Sequence, residues 1–405
     1  MASRRERVLR ALSFQKPDQT PKDLSGMAST GISCFAYPKL VAALGLPPRL
    51  PRVFDTGQML ALPDVDVLDA LDCDVVTVQG DRCTNAFEEP ERWHPYDFNG
   101  RLPALVMNPQ DYKAQPDGTI TQGNWSSMVP GSYVFDAPHG GELLDLEGDL
   151  KKENPDELAK ALAAQRFTDE QVQNLVRYCR RARESTDRAI MFSGYGAGLW
   201  FRGGMANYSM LCMTESDHVH TIHEIVTQHA IEQAQRLLPA LAPYVDVLML
   251  SADDQGMQSG PILPPAVYAA LFAPYYRRIN DAVHRIAPGV KTFYHCCGAI
   301  YDLLDSVVDG GFDALNPVQW SAGGRSYREW KDKCRGRLAL WGGGVNTQTT
   351  LPLGSLAAIR KEVREVVPYM AQDSGYVFCA IHNLLAEIPP DKVIAIYHTA
   401  AASTR

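Results

Sequence analysis

The chain has 405 residues, 45% of them hydrophobic and 21% charged, with 39 basic and 47 acidic side chains and a formal net charge of −8. That balance describes a globular protein with a large core, and the acidic excess leaves no electrostatic footprint for nucleic acid. No apolar run reaches membrane-spanning length and the stretch from Met1 to Leu12 lacks a signal-peptide core, so a cytoplasmic, unanchored protein is expected.

Taken in chain order, short apolar runs recur that end in Gly, Asp, His or Asn, each followed by a helical pattern. The expected strands are 21–25, 75–80, 189–194, 247–252, 290–295, 312–317, 338–343 and 376–381. Helices are expected over 216–238, 265–286, 300–308 and 355–367. Strands alternating with helices imply parallel pairing, and eight such units favour a closed (β/α)8 TIM barrel over an open doubly wound sheet. Residues 81–188 are too many for one unit and are rich in Pro, Gly, Asn and Asp. They read as an insertion between strands 2 and 3 of a single domain spanning 1–405. Within it, β structure is expected near 101–107, 118–122 and 133–135, ahead of a helix over 168–183.

Barrel chemistry sits where strands run into the following loops. Those ends carry Asp81, Tyr195, Asp253 with Asp254, His295 with Cys297, Asn316 with Gln319, Asn346 and His382. In Tyr294-His295-Cys296-Cys297-Gly298, period-two alternation sends His295 and Cys297 to one face and Cys296 to the other. Zinc accepts imidazole nitrogen and thiolate sulfur together, and a catalytic zinc needs three protein ligands with one open position. The bland alternative is a hydrogen-bonded core histidine beside a buried thiol. The last strand supplies two candidates for the third ligand, His382 and Cys379; the pleat favours His382, since Cys379 lies three residues deeper on the opposite parity. Nine cysteines, an odd number scattered from Cys34 to Cys379, form no disulfide framework, so reduced thiols are expected.

Asp254 is a candidate proton acceptor, against the alternative of a plain loop carboxylate. The run Gly194 to Arg202, containing Tyr195, Trp200 and Arg202, reads either as a lid over the pocket or as a tight loop packing Trp200 inward. The glycines 342–344 lack the lysine of a nucleotide-binding loop and suit close backbone approach at the mouth.

Taken together, several stretches resemble the uroporphyrinogen decarboxylase-like superfamily, whose members include corrinoid-dependent methyltransferases as well as the haem-pathway decarboxylase. They are Arg5 to Leu12 with Pro17-Asp18, Met128 to Asp136, Asp253 to Pro261, Tyr294 to Gly298, Leu315 to Gln319, Trp341 to Gln348, and His382-Asn383 ahead of Pro389-Pro390. The resemblance implies a (β/α)8 barrel. The decarboxylase branch holds its many-carboxylate substrate with an arginine-containing segment after the first strand; here that place reads Leu24 to Thr30 without arginine. The His-x-Cys pair is similar to the zinc motif of the methyltransferase branch. In thiol-methylating members the third ligand is cysteine, where His382 stands here, and Asn346 replaces a common aspartate.

The resemblance implies a Zn2+-dependent methyltransferase that moves a methyl group between a small methylated substrate or thiol and a corrinoid (methylcobalamin). No Asp-x-His-x-x-Gly motif occurs, so the corrinoid is expected on a partner protein. Expected ligands are His295, Cys297 and His382, with Asp254 and Tyr195 as catalytic candidates. Trp200, Arg202, Gln258, Asn316, Gln319 and Asn346 are expected to shape the pocket. A metal-independent decarboxylase of a tetrapyrrole or other carboxylated compound is the alternative. A homodimer and a monomer are both compatible with the resemblance.

Overall fold

The computed structural model describes residues 2–79, 84–85, 90–137, 149–199 and 202–403. Seven parallel strands form one curled sheet in chain order: β1 (Val75–Gln79), β2 (Ala189–Phe192), β3 (Val247–Ala252), β4 (Lys291–His295), β5 (Ala314–Asn316), β6 (Ala339–Trp341) and β7 (Tyr376–Val377). The eighth expected strand, 21–25, is reduced to a single parallel bridge between Lys22 and Phe378. Its backbone nevertheless ties the two edges of the sheet. Phe378 N donates to Pro21 O and Asp23 N to Phe378 O, while Asp74 N donates to Lys22 O. The ladder cannot lengthen because Pro21 has no N–H and Ser25 turns to φ +64, outside the extended region.

Parallel strands in a barrel are covered on both faces. Inside, Ala189, Met191, Val247, Phe293, Trp341, Val377 and Cys379 pack in one cluster with Val8 and Leu12 of the helix Arg4–Leu12. That helix begins at a Ser3–Glu6 capping box and closes the N-terminal end of the barrel. Outside lie the helices Asp169–Ser185, Ser216–Leu241, Leu304–Asp309, Tyr327–Cys334, Leu356–Ala371 and Pro390–Ala402. The helix expected over 265–286 is two, Pro265–Leu271 and Ala273–Ile286, and Pro274 in the first turn of the second explains the break. No helix among the described residues is long and apolar enough to cross a membrane.

Two small sheets sit on the C-terminal side of the strands. In one, Arg52–Asp55 pairs antiparallel with Leu60–Leu62 and parallel with Pro103–Val106, which pairs with His94–Asp97. The other is a meander of Tyr112–Ala114, Ile120–Gln122 and Ser126–Met128. The β structure therefore begins at residue 52, ahead of the expected insertion. Residues 133–135 form no strand, because the Ser132 hydroxyl exchanges hydrogen bonds with Val134 N and O and holds a local turn; only Asp136 bridges, to Ser127.

Candidate metal centre

β4 ends at His295 and opens into Cys296-Cys297-Gly298. The pleat divides these residues: Cys296 is buried, whereas Cys297 is partly exposed beside His295. Cys297 Sγ lies 3.2 Å from His295 Nε2. His382, beyond the end of β7, brings its ring to 6.1 Å from that of His295, centroid to centroid. The ligating atoms of His295, Cys297 and His382 all lie within 4.8 Å of one another. Cys379 instead packs in the barrel interior with Trp341 and Val377. Its burial pushes the thiol far above the ordinary range.

Three loops hold this geometry. The loops after β3 and β4 are stitched by Gly256 N to Cys297 O (3.1 Å) and Ala299 N to Met257 O (2.8 Å). This approach is closed to any residue with a Cβ: one added at Gly298, where φ is +90, would lie 2.1 Å from Gly256 O. The pairing brings Asp254 Oδ1 to 3.2 Å from Cys297 N, which donates to it, and 3.9 Å from His295 Nε2. Asp254 keeps 53% of its side chain exposed, against 8% for His295. The loop after β7 is pinned by Leu384 N to Gly31 O and by Gly31 N to Asn383 Oδ1, both 2.9 Å. Asn383 Nδ2 reaches Gln58 Oε1 at 2.7 Å, which ties the first small sheet to the same rim.

Behind His295, Asn316 is fully buried. Its Oδ1 lies 2.8 Å from His295 Nδ1 and its Nδ2 donates to Trp341 O at 2.9 Å. On the other side, Ser29 Oγ lies 3.2 Å from His295 Nε2. Burial lowers the pKa of His295, and burial with the neighbouring His295 lowers that of His382 to about 4. Burial first, and Asp254 second, push the Cys297 thiol up. Burial therefore favours the neutral form of both imidazoles and of the thiol.

This donor set fits zinc. Nitrogen and sulfur donors select against calcium and magnesium, and tetrahedral zinc separates its N and S donors by about 3.3–3.7 Å. A metal-binding histidine ordinarily donates its far ring N–H to an acceptor oxygen, the place that the Asn316 amide oxygen takes here.

A cleft of about 460 Å3 opens past the ends of β1 and β2 and over Met249, midway along β3; none of the three donors lines it, and it adjoins their loops through Ala28, next to Ser29, and Gln58, which bonds Asn383. Its lining includes Ala28, Phe54, Gln58, Trp125, Ser193 and Met249, drawn from the barrel, both small sheets and the turn before Ser29. Sequence reading missed these residues and Ser29. The available signal was the segment 24–30, placed after the first strand without being assigned a contact. Another cavity, about 400 Å3, lies at the opposite end near Lys16, Thr20 and Tyr376 and holds none of the expected site residues.

The remaining expected residues are placed variously. Tyr195 is buried and its hydroxyl donates to Ala230 O at 2.5 Å, in the helical shell. Ala197 N, bonded to Leu250 O, draws that loop across β3 and turns the tyrosine outward. Asn316 lies behind His295 and not in the cleft. Asn346 Oδ1 accepts from Gln348 N and Thr349 N, which makes it a turn-former. Gln319 Oε1 accepts from Gly298 N at 2.8 Å and so braces the Cys297 loop. Gln258 is exposed and bonds Ser321 O and Gln348 Nε2. Arg202 forms a two-point ion pair with Glu153. Asp81 and Trp200 lie outside the described residues.

A barrel with convergent donors at the C-terminal ends of its strands defines the class. Residues 156–402 match the family model "Uroporphyrinogen decarboxylase (URO-D)", and the chain belongs to that family. It is 26% identical over 223 residues to a protein named uroporphyrinogen decarboxylase from Syntrophotalea carbinolica. That alignment takes in 52% of this chain and spans 60% of the relative's length. Among solved structures it is similar to a methyltransferase from Methanosarcina mazei, with a TM-score of 0.55 at 16% identity over 99% of this chain and 98% of the other. At that identity the likeness shows the fold alone.

Proposed function

We propose that the protein is a zinc-dependent methyltransferase that moves a methyl group between a small methylated substrate or thiol and a corrinoid carried by a partner protein. The observation that carries the reading is the convergence of the ligating atoms of His295, Cys297 and His382 within 4.8 Å of one another. When bound there, zinc supplies Lewis acidity, which either holds a thiol as thiolate or polarises a methylated heteroatom. The chain's own residues supply the rest. Asn316 keeps the His295 ring in one orientation, Gln319 and Gly298 fix the Cys297 loop, and Asp254, half exposed and 3.9 Å from His295 Nε2, is placed to take or return a proton.

The alternative, a metal-independent decarboxylase, draws on the name of the Syntrophotalea relative. A substrate with many carboxylates needs cationic anchors. The described lining of the cleft contains no Lys or Arg, and Arg202 is committed to Glu153. Elemental mass spectrometry on untagged protein purified without chelator tests the proposal. About one zinc per chain, largely lost in His295→Ala, supports it; no metal in the native protein and none taken up on reconstitution sinks it.

A further inference from the structure

We propose that Ser29 hydrogen-bonds the group that occupies the open position of the metal centre. The inference rests on the metal-centre reading above and extends it to a residue that sequence reading did not single out.

The orientation of Asn316 comes first. Its Nδ2 donates to Trp341 O at 2.9 Å, so its oxygen must be the atom facing His295 Nδ1 at 2.8 Å. An amide oxygen only accepts, so Nδ1 carries the proton and, in a neutral imidazole, Nε2 keeps the lone pair. Ser29 Oγ, 3.2 Å from that Nε2, is therefore the donor. Ser29 is buried.

A cation bound at Nε2 takes the lone pair that Ser29 uses. The hydroxyl hydrogen is then without its acceptor in a buried place, and a buried donor left unpaired is costly. A group bound next to Nε2 restores the bond. The same nitrogen lies 3.2 Å from Cys297 Sγ and 3.9 Å from Asp254 Oδ1, so hydroxyl, thiol and carboxylate face one point. Ser29 cannot easily swing away, because its turn is tied to the His382 loop through Gly31–Asn383 and the Ile32–Leu384 bridge. The occupant this arrangement fits is a lone-pair donor, either a thiolate or the heteroatom of a methylated substrate, and Ser29 distinguishes it from an apolar group.

Cobalt(II) titration of the full chain, followed by titration with 2-mercaptoethanol and read in the visible and thiolate-to-cobalt bands, tests this in wild type, Ser29→Ala and Ser29→Thr. The expected result is cobalt affinity in Ser29→Ala equal to or tighter than wild type, with thiol affinity weaker by about tenfold, as for one hydrogen bond to a charged acceptor. Ser29→Thr restores it. Unchanged thiol affinity in Ser29→Ala overturns the proposal, and so does an altered cobalt spectrum before thiol is added, which would direct the hydroxyl to Cys297. Wild type that takes up no cobalt overturns the metal-centre reading itself and Ser29 with it. In metal-free protein, a long-range 1H–15N spectrum is expected to show His295 protonated at Nδ1; the Nε2–H form would overturn the tautomer and the inference.

Discussion

Two clusters, each of a carboxylate, an aromatic ring and a thiol, lie back to back at the ends of β3 and β4. One consists of Asp253, Tyr294 and Cys296, and the other of Asp254, His295 and Cys297, each pair of counterparts adjacent in the chain. The first faces the helical shell. Asp253 there is fully buried and accepts from Ser251, Tyr276 and Tyr294, while Tyr294 meets Tyr268 OH at 3.1 Å. The second faces the barrel mouth, where Asp254 is half exposed and thiol and imidazoles converge. In the first cluster each oxygen of the carboxylate is used up in fixing structure. The second keeps donor atoms aimed at a shared point, and that difference separates a structural group from a candidate reactive one.

The comparison breaks if the two sides respond alike to substitution. The largest effect is expected for Cys297→Ser and His295→Ala, which should lower zinc affinity by more than about a hundredfold by removing one of three ligands, while Cys296→Ser leaves zinc content unchanged. Competition with a chromogenic chelator measures both.

The next effect belongs to the buried side. Burial raises the pKa of Asp253 from 3.8 to about 6, against the lowering effect of its tyrosine and serine partners. Below pH 3.8 folded and unfolded chains both hold the proton. Between there and about pH 6 the folded protein holds it while the unfolded chain releases it, so stability falls as pH rises through that window, by on the order of 3 kcal/mol. Denaturant unfolding across pH 4 to 7 should show a shallower fall in Asp253→Asn with zinc content intact. Asp23 and Asp74, also raised to about 6 by burial, keep part of the slope in both proteins.

Asn316→Ala should weaken zinc binding by about 10- to 100-fold, because His295 loses the partner that fixes its ring. An unchanged dissociation constant would remove Asn316 from the site. The smallest effect is expected for Asn346→Ala, about 1 kcal/mol of stability from the lost turn bonds, with no change in zinc affinity. A loss of zinc there would mean that the β6 loop reaches the centre after all.

Much of this was legible in the chain. Alternation in Tyr294 to Cys297 separated the two thiols correctly, since a strand has only two faces. The spacing of apolar runs located all seven ladder strands, because each must be apolar on both sides. Legibility failed where a side chain's direction depends on a neighbour distant in sequence. Tyr195 follows a strand and looked like a mouth residue, yet the bond from Ala197 N to Leu250 O turned it outward. Asn316 ends β5 and looked like a pocket residue, yet Trp341 O aims its amide at His295.

The sequence by itself determined the family-level architecture and the residue types of the donor set, because strand period and strand-end position are local properties of the chain. Only the tertiary structure decided that Ser29 and Asn316 meet the two nitrogens of His295 and that Gln58 meets Asn383 in the His382 loop. Ser29 is 266 residues from His295, and the contact exists because the loop after β7 is stitched to residues 31–33. No local pattern encodes a pairing made by closing the barrel.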